Sequence, residues 1–471
     1  MNLSTLFFVF AFLPVSLILY LVCPRVCKNA LLVLISFVFY AWGSPVYLLL
    51  LLLVTVFNYC VGLDIGNCAE LGQRGTKFLL VIGVLFNLLL LGFYKYAAFA
   101  IETLNAILPF TLNAPSAALP LGISFFTFQN LSYLSDVYHR RVPAQKNPLD
   151  FCLYVSFFPK MISGPIVEYA QFEPQLKSHP VTLYKVSEAV PMLVLGLAKK
   201  VLLADNLGAA FQSISALSSG SLSGGSAWLG AICYSLQLYF DFSGYSDMAI
   251  GMAKLFGFDF DANFDHPYLS ASLTEFWRRW HISLGRWFRD YVYIPLGGSR
   301  VSTPKCIRNL LIVWTLTGLW HGASWTFVVW GLYHGILLLL EKYPLKGILA
   351  KTPSPIRHIL TLLAVIVGWV LFFSPDFSSA IFYLRCREPR VLGFHRKILF
   401  CSKLEASCTR HSWLRPMDSD ALPASRVLAA QSWPCAFCAA SDRHFPALRP
   451  VYDERHLPIL PLCSVLSEVI P

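Results

Sequence analysis

Charge is what this chain has least of. Only 13% of its 471 residues are Asp, Glu, Lys or Arg, while 56% are hydrophobic; a soluble globular protein carries charge at about a quarter of its positions. That shortage excludes a soluble fold and points to an integral membrane protein. The 37 Lys and Arg against 26 Asp and Glu leave a formal charge of +11, which in so apolar a chain belongs to cytoplasmic loops and not to a nucleic-acid surface. Three further absences narrow the reading. No Lys or Arg precedes the first apolar run, MNLSTLFFVFAFLPVSLILYLVC, and it has no small-residue cleavage site, so it reads as a retained span and not as a secretory signal. No internal repeat is visible, which disfavours the inverted-repeat transporter folds. No second CxxC matches Cys435-Ala-Phe-Cys438, and one such pair is a weak metal signal, so no metal site is expected.

Long apolar runs are abundant instead. About 20 such residues cross the hydrocarbon core as a helix. Candidate spans fall near 5–23, 29–42, 46–63, 78–101, 120–138, 149–168, 187–204, 226–254, 307–340 and 357–384, with 307–340 holding two short or tilted helices. The expected fold is all-α, a polytopic membrane protein of about ten transmembrane or re-entrant helices. Gly43-Ser44-Pro45 breaks the second run from the third, and the prolines of Phe158-Pro-Lys-Met-Ile-Ser-Gly-Pro165 forbid one uninterrupted helix there. Arg25 and Lys28 follow the first span, which places the N-terminus outside and that loop in the cytoplasm. Ser213–Ser226, rich in serine and glycine, reads as a flexible connector.

Polar groups inside apolar runs carry the functional signal. Asp241 and Asp247 lie in a membrane-like stretch, where a charge costs at least about 2.5–3.5 kcal/mol, so both must face a protein interior or a hydrated cavity. They either bond neighbouring groups in a packed interior or line a cavity that handles substrate or protons. From 275 to 308, Arg278, Arg279, Arg286, Arg289, Arg300, Lys305 and Arg308 are interleaved with Trp and Tyr. Such a mixture suits a helix in the headgroup layer on the cytoplasmic side. Arg278, Arg279, Arg286 and Arg289 fit two roles: anchoring to membrane lipid phosphates, or binding the phosphates of a cytoplasmic donor. Helical spacing puts Trp277, His281 and Leu284 on one face.

His321 lies in a run with no Asp, Glu, Lys or Arg between Arg308 and His334. Helical spacing gathers Thr317, His321, Ser324 and Trp325 into a narrow polar stripe. Gly318 and Gly322 form a small-xxx-small pair that lets another backbone approach. The imidazole could bond across a helix interface, or act as a general base, for which an ordinary pKa of about 6.5 is suited. His334, about 220° further round an ideal helix, need not share its face.

These stretches resemble a known family. FWRRWHISLGRWFRDYVYIPLGG and WHGASWTFVVWGLYHG, with LGISFFTFQNLSYLSDVYH at 121–139, FPKMISGPIVEYAQFEPQL at 158–176 and DFSGYSDMAIGMAKLFGF at 241–258, are similar to the membrane-bound O-acyltransferases. The IPLGG ending resembles the alginate and peptidoglycan O-acetyltransferase branch more than the D-alanyl transfer protein of teichoic acid synthesis. The resemblance covers residues 1 to 385. It implies a multi-helix membrane fold with a funnel or tunnel, an essential His321 that takes a proton from an acceptor hydroxyl or thiol as it attacks a thioester, and a supporting His281. It implies cytoplasmic acetyl-CoA or a similar acyl thioester as donor, a separate periplasmic or surface acyltransferase as partner, and a place in the bacterial inner membrane. The competing readings are a transporter or flippase that does no chemistry, and an inactive truncated product.

Residues 386–471 are different. They hold 11 Lys and Arg, eight Asp and Glu, six of the 13 Cys and four His, with no span-length run. A reading-frame shift near codon 385 explains the altered composition and the end of the resemblance together; a divergent cytoplasmic tail and a metal site at Cys435 and Cys438 are the rival readings. No function is expected of this tail.

Overall fold

The computed structural model describes residues 3–67, 72–217 and 222–385, and among them every regular element is helical. In chain order these are α1 (Phe8–Val22), α2 (Lys28–Gly43), α3 (Pro45–Asn67), α4 (Arg74–Asn105), α5 (Ile123–Tyr138), α6 (Pro148–Ser156), α7 (Tyr169–Lys177), α8 (Leu183–Ala198), α9 (Asp205–Ser215) and α10 (Gly224–Leu255). They continue as α11 (Leu273–Arg279), α12 (Ile282–Phe288), α13 (Thr303–His321), α14 (Trp325–Lys342), α15 (Ser354–Phe373) and α16 (Phe377–Arg385). Four segments, Arg25–Gly43, Pro45–Asn67, Arg74–Asn105 and Ser354–Phe373, are long and apolar enough to cross a membrane. Large apolar side chains such as Phe10, Ile18, Leu53 and Leu89 stay exposed along the spans, as lipid-facing surface requires.

Local chemistry sets the helix boundaries. The Asn147 side chain accepts from Leu149 N, with Pro148 in the first turn, where its missing N–H costs nothing. Thr182 and Ser223 cap α8 and α10 in the same way. Ser272 caps α11 by accepting from Glu275 N, while the Glu275 carboxylate accepts from Ala271 N. The Glu341 carboxylate of α14 then accepts from Leu273 N and Thr274 N, a negative group on the positive end of α11. That contact fixes α11 against α14.

Two expected spans are broken. The run at 149–168 stops at Ser156, makes one turn over Phe158–Met161, and has no further helix before Tyr169. Gly164 folds back so closely that a Cβ there would sit 2.4 Å from Lys160 Cα. The run at 307–340 is two helices, α13 and α14, divided at 322–324. One expected span is longer: α8 continues through a π-helical turn, Lys199–Ala204, into α9. Ser44 lies between α2 and α3 as the tight break expected there.

Three apolar clusters hold the bundle. One draws on α1 to α3, α5 to α7 and the C-terminal end of α10. A second joins α10, α11, α13, α14 and α15, and a third joins α5, α12 and α13. The motif histidines lie along the seam between the second and third. The tail from residue 386, with its CxxC pair and the frame-shift reading, lies outside the described residues, as do 218–221 of the serine-rich connector.

Candidate active site

His321 is the last residue of α13. Gly322 after it is extended, and a Cβ there would lie 2.1 Å from the Phe327 ring. The Phe327 ring thus occupies the space that a side chain at 322 would fill. The imidazole is walled by Trp320 at 5.0 Å, Trp330 at 5.1 Å and Phe372 at 5.3 Å between ring centroids. Among the described residues it makes no hydrogen bond, yet it keeps accessible surface. An imidazole in that setting has both nitrogens available to a bound substrate.

The polar stripe expected around His321 does not form. Because α13 ends at His321, Ser324 and Trp325 belong to the start of α14: Ser324 bonds Thr326 Oγ1 at 2.7 Å, and Trp325 is half exposed with its ring against Phe99. Thr317 stays on α13, where its hydroxyl donates to Val313 O. Helical counting fails across the break because Gly322 leaves helical geometry.

His281 is not on a continuous helix face with Trp277 and Leu284 either. It sits between α11 and α12 with φ 45° and ψ 55°, a left-handed conformation, which costs a non-glycine residue about 1–2 kcal/mol. Asn263 secures this joint. Its side-chain oxygen lies 3.3 Å from His281 Nδ1 and accepts from both the N–H and the hydroxyl of Ser283 at 3.0 Å, while its carbonyl accepts from Ile282 N. The other nitrogen, Nε2, is buried without a partner among the described residues. The ring packs on Phe242 at 4.6 Å and on Trp320 at 5.9 Å, so one indole touches both motif histidines.

His334 lies deeper, fully buried among Trp277, Trp330 and Trp314 at 4.8, 5.1 and 5.8 Å. Both its ring nitrogens lack a partner among the described residues. Gly368 makes the room, since a Cβ there would lie 2.5 Å from His334 Nε2.

The remaining candidates separate into groups. Asp247 pairs with Lys199 at 2.6 Å and Asp241 with Lys200 at 2.9 Å, the lysines coming from the π-helical turn between α8 and α9. Both carboxylates are thus engaged in ion pairs at a helix contact. Three of the four arginines are also occupied. Arg286 meets Asp261 at 2.8 Å, Arg289 grips Asp290 through two bonds of 2.7 and 2.8 Å, and Arg279 meets Glu275 at 2.9 Å. Arg278 is exposed and has no acidic partner among the described residues. No three His, Cys, Asp or Glu side chains among the described residues converge as metal ligands.

An apolar groove of about 880 Å³ runs beside the site between α4, α5, α12 and α13, lined by Leu88, Phe99, Leu104, Phe128, Leu316 and Trp320 among others. The face-to-face stack of Phe128 and Trp287 at 3.7 Å, and the bond from Trp287 Nε1 to Phe128 O, hold α12 on α5 along it. Two functional neighbours escaped the sequence reading. Lys95, a cation inside an apolar run, carries the ordinary signal of an intramembrane charge. Asn263 carries none, because only the fold brings it to His281.

The chain matches the model of the membrane-bound O-acyltransferase family over residues 32–380. It is 45% identical over 379 residues to a protein of Azotobacter vinelandii named "Probable alginate O-acetylase AlgI", covering 79% of this chain and 75% of that one. Its counterpart in Pseudomonas aeruginosa is 44% identical over 379 residues, covering 79% and 72%. A Helicobacter pylori "Peptidoglycan O-acetyltransferase" is 37% identical over 417 residues, covering 81% and 79%.

Proposed function

Since the chain belongs to the membrane-bound O-acyltransferase family, we propose that it transfers an acetyl group from cytoplasmic acetyl-CoA for O-acetylation of an extracytoplasmic polysaccharide of the alginate or peptidoglycan kind. The observation that carries this reading is His321: an imidazole with no hydrogen bond among the described residues, partly accessible and flanked by three aromatic rings. Family membership gives acyl transfer and a membrane location; donor, direction, inner-membrane placement and acceptor belong to the proposal.

In the reaction, one His321 nitrogen accepts the proton of an acceptor hydroxyl as its oxygen attacks the thioester carbonyl. The carbon–sulfur bond then breaks, the thiolate leaves with the electron pair, and the proton on His321 passes to that sulfur. His281, whose Nε2 is buried without a partner among the described residues, supports the site. Arg278, which has no acidic partner among the described residues, meets the donor's phosphates from the cytoplasmic side. A separate periplasmic or surface acyltransferase receives the acetyl group and places it on the polymer.

The test is the O-acetyl content of surface polysaccharide in cells that depend on this chain. At matched membrane abundance, His321→Ala should abolish acetylation, and acetylation equal to wild type would remove the assigned role. Purified protein that bound acetyl-CoA but never cleaved it, even with its partner present, would favour transport without chemistry.

A further inference from the structure

The last turn of α13 is held by side chains of another helix. Near Gly92–Tyr96, α4 is π-helical, and two successive residues there reach the carbonyls just before His321. Tyr96 donates its hydroxyl to Leu319 O at 2.7 Å. Lys95 Nζ donates to Trp320 O at 2.8 Å and lies 3.2 Å from Ser124 Oγ on α5. The same ammonium stands 5.9 Å from the centroid of the Trp320 ring, the indole that touches both motif histidines.

The need for such a clamp is physical. The last four carbonyls of a helix have no partner in their own helix, and water is scarce in the bilayer core. A cation at a helix C-terminus also meets the negative end of its dipole. In most sites a catalytic imidazole is oriented by a carboxylate or carbonyl on its second nitrogen. His321 has no such bond among the described residues, so its direction is set by the three rings around it and by the backbone that ends in it.

We propose that Lys95, assisted by Tyr96, is a positioning residue for acyl transfer: it fixes the end of α13 and so aims the His321 ring at the reacting thioester. This inference rests on His321 being the proton acceptor. A misplacement of about 1 Å in a reacting group lowers rate by about 100-fold, and that is the effect expected when the clamp opens.

The experiment follows thioester cleavage in membrane vesicles carrying the full chain, with radiolabelled acetyl-CoA titrated to saturation. Lys95→Met should lower kcat about 100-fold with KM within twofold of wild type, because donor contacts are untouched. Lys95→Arg, which keeps charge and donors, should recover most of the rate, and Tyr96→Phe should cost about tenfold in kcat, the loss of one neutral bond. A wild-type kcat in Lys95→Met overturns the inference. So does a loss that appears only as a raised KM, or one that Lys95→Arg fails to relieve. If Lys95→Met does not accumulate in the membrane, Tyr96→Phe decides alone, and its wild-type kcat overturns the inference. His321→Ala separates the two levels: activity in it removes the His321 role itself, whereas a silent His321→Ala beside a fully active Lys95→Met removes only the clamp.

Discussion

Gly331→Ala adds one methyl group where α13 and α14 leave no space. Built on the backbone, its Cβ would lie 2.2 Å from the carbonyl oxygen of Trp314 and 3.2 Å from Gly318 Cα. Ordinary contact begins at 3.4 Å, so α14 has to move off α13 by roughly 1 Å, because a helix carbonyl cannot swing aside as a side-chain tip can. Overpacking of this kind costs about 1–3 kcal/mol of stability. The functional effect should be larger. Trp330, the preceding residue, walls His321 at 5.1 Å, so the shift that relieves the clash also opens the aromatic enclosure, with an expected rate loss of about 100-fold. Gly347→Ala is the control, since a Cβ there meets nothing within 4 Å. The assay is acetate released from surface polysaccharide by alkali, normalised to membrane-bound protein, beside the thermal aggregation midpoint in detergent. Wild-type acetylation by Gly331→Ala at normal abundance would refute the packing argument, and so would an equal loss in Gly347→Ala.

Other perturbations follow from the same geometry. Lys199→Met leaves Asp247 buried without its partner and should cost about 3–5 kcal/mol, most of it recovered in Lys199→Met with Asp247→Leu; an unchanged aggregation midpoint in the single variant would contradict the pairing. At the left-handed joint, His281→Asn should melt higher than His281→Val by about 1–2 kcal/mol, because Asn tolerates that backbone and a β-branched residue does not; equal midpoints would count against it. Arg278→Gln should raise KM for acetyl-CoA about tenfold at unchanged kcat, the size of one charge-assisted bond, and a fall in kcat alone would take Arg278 out of donor binding.

What the sequence makes legible here depends on how local the cause is. Each of the four span-length segments is set by its own residues, so an apolar run is enough to find it. The glycine pair at 318 and 322 was readable as an allowance for close approach, but its partners were not: Gly318 meets the Phe327 carbonyl and Gly331, while Gly322 meets the Phe327 ring. Periodicity misled at the two histidines. Counting residues assumes the helix continues, and it stops at His321 and breaks at His281, where Asn263 from a distant loop supplies the bonds that hold the joint. Asp241 and Asp247 showed as buried charge, yet the lysines that answer them lie on a different helix and share no spacing with them.

Trp320 lines the apolar groove and also touches His281 and His321. Groove and histidines therefore share the Trp320 indole as a common wall. An apolar molecule seated in the groove presses on the same ring that packs against the two histidines, so what fills the groove bears on the stiffness of that wall.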